Sequence, residues 1–194
     1  MIDYHEKTAL VVVDVQNDFA DPRGSLYVSG GEQVVPPINA EIRRAREAGA
    51  PVLYTQDWHP PSTPHFEKDG GIWPVHCVMN TWGAAFHPDL DVDGEVVQKG
   101  SGGEDGYSGF TVRDPGSGDE TRTMLGTLLR ERGIKRVVIA GLATDYCVKE
   151  TAIDAVGLGF ETAVLIGMAR AVNLDADDGE RAVEAMREAG VGLA

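Results

Sequence analysis

Short apolar runs alternate along the chain with segments of helical periodicity. Five runs have the length of buried strands: residues 8–13, 51–55, 95–98, 136–140 and 162–166, and a sixth near Val191 closes the pattern. Runs that are apolar at consecutive positions, rather than at alternate ones, are typical of a parallel sheet covered on both faces.

Four segments between these runs predict helices. The first places Ile38, Ile42 and Ala45 on one face, has Pro36 and Pro37 in its first turn and ends at Gly49. The others are expected over residues 124–133, 145–155 and 176–189. Strand–helix alternation predicts an α/β fold of three layers, α/β/α, with right-handed crossovers. Because no linker or repeat interrupts the pattern, we expect residues 1–194 to form a single domain.

Composition limits the partners that we expect. The chain has 194 residues and a net charge of -14, whereas nucleic-acid surfaces need clustered Lys and Arg. Nucleic acids and membranes are therefore not expected partners, and a homo-oligomer is left open. No apolar run approaches the roughly 18 residues of a membrane helix. The N-terminus lacks a signal-peptide pattern and only two cysteines occur, so we expect a cytoplasmic protein with reduced thiols.

Reactive residues follow four of the predicted strands. Asp14 follows the first strand, Asp57 and His59 the second, Lys99 the third, and the segment 141–147 the fourth. The carboxyl ends of parallel strands meet at one edge of the sheet, where ligands of open α/β folds bind. The sequence therefore predicts an active site at this edge.

Cys147 is the candidate nucleophile. The segment GLATDYCV places it in the opening turn of a helix, with Thr144 or Asp145 as the cap. The helix N-terminus and a nearby Lys99 would both favour the thiolate, which is the nucleophilic form. Cys77 has no such neighbours, and we expect it to be an inert buried thiol.

Asp14 and Lys99 are the candidate partners of this thiol. Taken singly, the carboxylate would be a turn residue and the lysine a surface residue. Together at one edge, Asp14 can take the thiol proton and deliver it to a leaving amine, while Lys99 orients that carboxylate.

Metal-ligand residues cluster after the second predicted strand. Three of the five histidines, His59, His65 and His76, fall within 20 residues together with Asp57. Nitrogen and oxygen ligands without a thiolate suit Zn, Fe or Mn. Phe19, Trp73 and Tyr107 lie on the surrounding loops and would form a slot for a planar ring.

These motifs together resemble the nicotinamidase branch of the isochorismatase-like cysteine hydrolases. The matching pieces are VVVDVQNDF, QDWHP, WPVHC, KG followed by YSGF, and GLATDYCV, in the family's order. The resemblance implies a six-stranded parallel sheet in the order 3-2-1-4-5-6. It also implies a catalytic triad of Asp14, Lys99 and Cys147.

The resemblance also implies the remaining parts of the site. One divalent metal, with zinc expected and iron or manganese as alternatives, is held by Asp57, His59 and His76, with His65 as a fourth ligand in some relatives. A cis peptide joins Leu142 to Ala143, and the amides of Ala143 and Cys147 face an oxyanion. Phe19, Trp73 and Tyr107 match the walls of the family's substrate pocket.

The implied activity is that of an amidohydrolase acting on a small amide. Nicotinamide would be hydrolysed to nicotinate and ammonia through a cysteine thioester, and pyrazinamide would also be accepted. The sequence departs from the family in the loop GSGGED after Lys99, which could change the pocket rim, and in Val75, where Pro is common.

Three alternatives stay open. The first is a related cysteine amidohydrolase acting on a carbamoyl or ureido compound; such enzymes share the Asp, Lys and Cys but usually lack the metal ligands. Isochorismatase activity is less favoured, because that reaction does not need the cysteine. The third is a metal-binding module in which Cys147 is inert, and it leaves Asp14 and Lys99 unexplained.

Overall fold

The computed structural model describes residues 2–194. Its main sheet has six parallel strands: β1 (Thr8–Val13), β2 (Val52–Asp57), β3 (Glu95–Lys99), β6 (Arg136–Leu142), β7 (Glu161–Arg170) and β8 (Gly192–Leu193). They lie in the order β3-β2-β1-β6-β7-β8. Counted within this sheet alone, the order is 3-2-1-4-5-6, which confirms the predicted fold class.

Helices cover both faces of the sheet. They are α1 (Asn17–Ala20), α2 (Val35–Glu47), α3 (Leu125–Glu131), α4 (Lys149–Gly157) and α5 (Asp178–Glu188). Leu10 and Val12 of β1 belong to the same apolar cluster as Ile38 of α2. Val11 and Val13 point to the opposite face, into the cluster that contains Leu129 of α3. Every residue of β1 is buried, because successive side chains of a strand enter cores on the two sides.

The strands differ from the sequence prediction in two places, and the short helix α1 was not predicted either. The strand β7 continues to Arg170, past the predicted end at residue 166, and its pairing with β6 shifts register between Ile139 and Gly141. A small antiparallel hairpin, β4 (Thr111–Arg113) with β5 (Glu120–Arg122), was not predicted. Both segments are rich in polar residues or Gly, so they lack the apolar run that marks the other strands.

Long loops follow β2 and β3, and both begin at the carboxyl edge of the sheet. The loop after β2 contains a single 3-10 turn, Glu67–Asp69, and carries the histidines. Another 3-10 turn, Gly31–Val34, precedes α2. Across residues 2–194, none of the helices is both long enough and apolar enough to cross a membrane.

Candidate active site

The structure brings the predicted triad together at the carboxyl edge. Asp14 follows β1 directly, Lys99 is the last residue of β3, and Cys147 follows β6. Ligand atoms of Asp14, Asp57 and Cys147 all lie within 4.8 Å of one another. Four adjacent parallel strands therefore supply this cluster, as the sequence predicted.

Lys99 is the cation at the centre of the cluster. It is only 1% exposed, and its Nζ lies 2.8 Å from Asp14 Oδ2 and 3.7 Å from Cys147 Sγ. Nζ also donates hydrogen bonds to Asp57 Oδ1 and to the Gly106 carbonyl. Burial lowers the pKa of Lys99, but the negative charges of Asp14 and Asp57 have the larger effect. The pKa of Lys99 is therefore raised well above its ordinary value. The sequence predicted the contact with Asp14 but not the one with Asp57.

Asp14 is a buried carboxylate whose two oxygens have different partners. Oδ1 accepts a hydrogen bond of 2.7 Å from the Thr55 hydroxyl. Among residues 2–194, Oδ2 has no well-aligned donor, although Lys99 Nζ is close. Burial raises the pKa of Asp14 to about 6 against the opposing charge of Lys99, and the charge of Asp57 adds to the rise. Asp14 can therefore accept and release a proton near neutral pH.

The surroundings of Cys147 disfavour its thiolate, whereas the sequence led us to expect that the helix start and Lys99 would favour it. The residue is 7% exposed, and burial raises the pKa of its thiol well above the ordinary value. Lys99 opposes this shift, while Asp14 and Asp57 reinforce it. Burial and the two carboxylates thus have a larger effect on the thiol pKa than Lys99 has. The nucleophile therefore needs a base to remove its proton.

The helix start at Cys147 also differs from the prediction. The residues Thr144–Val148 form a π-helical turn that leads into α4, and Ala143 is the N-cap, without a side-chain cap hydrogen bond. Neither Thr144 nor Asp145 caps this turn. The Asp145 carboxylate instead accepts hydrogen bonds of 2.9 and 2.8 Å from the amides of Val172 and Asn173. Asp145 therefore ties the turn to the loop that follows β7.

Three histidines form a second cluster beside the first. One ring nitrogen each of His59, His65 and His76 lies within 4.8 Å of the others. Both nitrogens of His59 are buried and have no hydrogen-bond partner among residues 2–194. Burial lowers the pKa of His76 to about 4, and it also lowers that of His65. Buried imidazole nitrogens without hydrogen-bond partners, such as those of His59, are what a divalent metal ion requires, so the residues present fit one.

Asp57 connects the two clusters. Its Oδ2 lies 3.7 Å from His59 Nε2 and 4.0 Å from His76 Nε2, while its Oδ1 is bound to Lys99. Burial works against its charge, but Lys99 keeps the pKa of Asp57 below its ordinary value. Asp57 is therefore a charged carboxylate with one oxygen facing the histidines.

A pocket opens above both clusters. Cys147, Asp57, His65 and His76 line it, and so do the three predicted aromatic residues, Phe19, Trp73 and Tyr107. Trp73 Nε1 donates a hydrogen bond of 2.8 Å to the Tyr107 hydroxyl. The nucleophile, two of the three clustered histidines and the aromatic walls thus face one space.

The match to known proteins agrees with this geometry. A family model for the isochorismatase domain covers residues 8–193. The chain belongs to the isochorismatase family.

Within the isochorismatase family, the chain is similar to proteins named as nicotinamidases and pyrazinamidases. The nicotinamidase/pyrazinamidase of Mycobacterium tuberculosis is 40% identical over 189 residues, covering 95% of this chain and 97% of that protein. The pyrazinamidase of Pyrococcus horikoshii in complex with zinc superposes with a TM-score of 0.86, at 41% identity, with 97% and 98% of the two chains covered. PnC1 from L. infantum in complex with nicotinate gives a TM-score of 0.90 and 35% identity, with 100% and 95% covered.

The peptide between Leu142 and Ala143 is cis, as the resemblance to isochorismatase-like hydrolases implied. Ala143 also lines the pocket.

Sequence reasoning missed several residues of this isochorismatase-family site. Leu26, Tyr146 and Val172 also line the pocket, and the Tyr146 ring meets Trp73 edge-on at 4.8 Å between centroids. Tyr146 could have been found because it precedes the nucleophile in the same motif. The aliphatic residues carry no signal that distinguishes them from core residues.

Proposed function

We infer that the chain is a nicotinamidase, an amidohydrolase that converts nicotinamide to nicotinate and ammonia, and we propose pyrazinamide as a second substrate. The observation that carries this conclusion is the shared pocket: Cys147, two histidines of the cluster (His65 and His76) and the aromatic walls all line it. Amide cleavage alone needs only a nucleophile, a proton carrier and an oxyanion site. Histidines and flat walls add selectivity for a planar ring that carries a nitrogen. We propose that residues 1–194 act as one domain.

The first half of the reaction forms a thioester. Asp14 accepts the Cys147 proton as Sγ attacks the amide carbonyl, and the amides of Ala143 and Cys147 stabilise the oxyanion. Asp14 then returns the proton to the amine nitrogen, the C–N bond breaks, and ammonia leaves. Lys99 stays protonated throughout, and its charge holds Asp14 beside the thiol.

The second half releases the acid. Asp14, which is a carboxylate again, takes a proton from water as the water oxygen attacks the thioester carbonyl. The C–S bond breaks, nicotinate is released, and the proton on Asp14 returns to the Cys147 sulfur. The overall reaction consumes one amide and one water and yields one acid and one ammonia.

The metal site would be formed by Asp57, His59, His65 and His76. Zinc is the ion that we propose, because the ligands are nitrogen and oxygen atoms and because the P. horikoshii pyrazinamidase is described as a zinc complex. A bound ion with an open coordination position supplies a Lewis acid for a heteroaromatic nitrogen or a water. Among the chain's own residues, Trp73 and Phe19 would stack on a planar ring. Each aromatic pair contributes about 0.5–1.5 kcal/mol beyond the burial of its apolar surface.

Ammonia release from matched amides tests this function. Benzamide has the same ring shape as nicotinamide but offers no ring nitrogen, so nicotinamide should be cleaved with a much higher kcat/KM. The difference should shrink when the metal is chelated. Equal cleavage of both amides would show that the ring nitrogen is not recognised. Cleavage of a ureido compound with no cleavage of nicotinamide would reject the nicotinamidase function and favour the carbamoyl or ureido alternative.

A further inference from the structure

The loop between Lys99 and Tyr107 covers the histidine cluster as well as the pocket rim. A Cβ atom on Gly100 would lie 2.6 Å from the His59 ring, so the backbone of the loop packs directly against this imidazole. The Thr63 hydroxyl donates a hydrogen bond of 2.7 Å to the Gly103 carbonyl and accepts one of 3.3 Å from the His65 amide. The loop is therefore tied to the segment that carries His65.

Asp105 is the residue of this loop that reaches the cluster. Its backbone forms an antiparallel bridge with Arg113 at the end of β4, with hydrogen bonds of 2.8 and 3.0 Å. The hairpin β4–β5 thus fixes the position from which the carboxylate extends. Asp105 Oδ1 lies 2.6 Å from His65 Nδ1, and the His65 side chain is only 4% exposed.

This contact determines which nitrogen of His65 can bind an ion. A carboxylate oxygen only accepts hydrogen bonds, so Nδ1 carries the proton and Nε2 keeps its lone pair. His76 has the same arrangement, because its Nδ1 lies 2.7 Å from the Pro74 carbonyl oxygen. Acceptors behind the ring of a ligating histidine fix its tautomer and orientation and raise its basicity.

We propose that Asp105 is a positioning residue that holds His65 with Nε2 presented to the metal, and so makes His65 a metal ligand in this chain. The proposal rests on the metal site of the proposed function. The acidic, Gly-rich loop would then contribute to metal binding rather than to amide cleavage.

Zinc affinity, measured by competition with a chromogenic chelator, tests the proposal. Asp105→Ala should weaken zinc binding about 10- to 100-fold, as loss of a ligand's hydrogen-bond partner typically does. Glu104→Gln is the matched control, because it removes the neighbouring charge of the same loop, and the Glu104 carboxylate accepts its hydrogen bond from the Gly102 amide rather than from a histidine. Its zinc affinity should equal that of the wild type. Should Asp105→Ala not fold, Asp105→Leu keeps the side-chain volume without an acceptor.

A double-mutant cycle and a count of imidazoles separate positioning from a general effect of charge. If Asp105 acts through His65, the affinity of the double variant Asp105→Ala/His65→Ala should equal that of His65→Ala alone. X-ray absorption at the zinc edge should show three imidazoles in the wild type and two in Asp105→Ala. Additive losses, unchanged zinc affinity in Asp105→Ala, or three imidazoles in that variant would each overturn the proposal. Wild-type protein that binds zinc without cleaving nicotinamide would instead refute the proposed function.

Discussion

Thr55 provides a direct test of Asp14 as the proton carrier. Its hydroxyl donates the 2.7 Å hydrogen bond to Asp14 Oδ1, and it is buried in β2 opposite Val13. Thr55→Val is close to isosteric and removes only this donor. Thr55→Ser keeps the hydroxyl and is the matched control.

The direction of the effect follows from the form of Asp14 that the hydrogen bond stabilises. Thr55 lowers the pKa of Asp14, because its hydroxyl favours the carboxylate over the acid. Removing the donor therefore raises the pKa. Hydrogen bonds to charged groups contribute about 1.5–3 kcal/mol, and each pKa unit corresponds to about 1.4 kcal/mol. A rise of about one unit, from about 6 toward about 7, is a conservative expectation.

The assay is the pH dependence of kcat/KM for ammonia release. Asp14 must be ionised to accept the thiol proton, so activity should fall as the pH drops through its pKa of about 6. In Thr55→Val this acidic limb should move to higher pH, giving about a threefold loss near pH 6.5 and little loss near pH 9. Bound metal is measured at each pH, since acid also releases metal from histidines.

Two outcomes would refute this reasoning. If the kcat/KM of the wild type fell only near pH 4, Asp14 would titrate as an ordinary carboxyl group. A Thr55→Val limb in the wild-type position, with metal content unchanged, would mean that the group observed is not Asp14. The Thr55→Ser variant should keep the limb of the wild type.

Further changes test the nucleophile and the packing over the histidines. Cys147→Ala should abolish turnover with an unchanged melting temperature, and iodoacetamide should label Cys147, which lines the pocket, before the fully buried Cys77; substantial activity of the variant in ammonia release would exclude the cysteine mechanism. Gly100→Ala should weaken zinc binding in chelator competition, because its Cβ would displace the His59 ring. Gly103→Ala also has a positive φ but meets only Thr63, at 3.6 Å, so equal losses in both variants would attribute the effect to backbone strain alone.

The fold was predictable because both faces of the sheet are covered. Full burial of β1 goes with apolar residues at five of its six positions, and such runs are visible in the sequence. The hairpin β4–β5 was not predictable, since all of its residues are exposed or half-buried and two of its three pairs join polar residues. The end of β7 was missed for a similar reason, because Gly167 and Arg170 do not continue an apolar run.

The composition of the site was more predictable than its energetics. Asp14, Lys99 and Cys147 could be found because strand ends converge at one edge, and the metal-ligand candidates because they are close in the sequence. The protonation state of Cys147 could not be found, because it depends on burial and on the distances to three charged groups. Asp105 was overlooked because its contact with His65 spans 40 positions of the chain.

Lys99 also explains how two nearby carboxylates take different roles. It contacts both Asp14 and Asp57, yet the pKa of Asp14 is raised and that of Asp57 is lowered. The Lys99 ammonium donates a hydrogen bond to Asp57 and keeps its pKa low, whereas Lys99 and Thr55 do not offset the effect of burial on Asp14. When the surroundings of two acids give them different pKa values, the two groups can take different roles in the reaction. The carboxylate that stays charged suits a metal ligand, and the one that titrates near neutrality suits a carrier of the thiol proton.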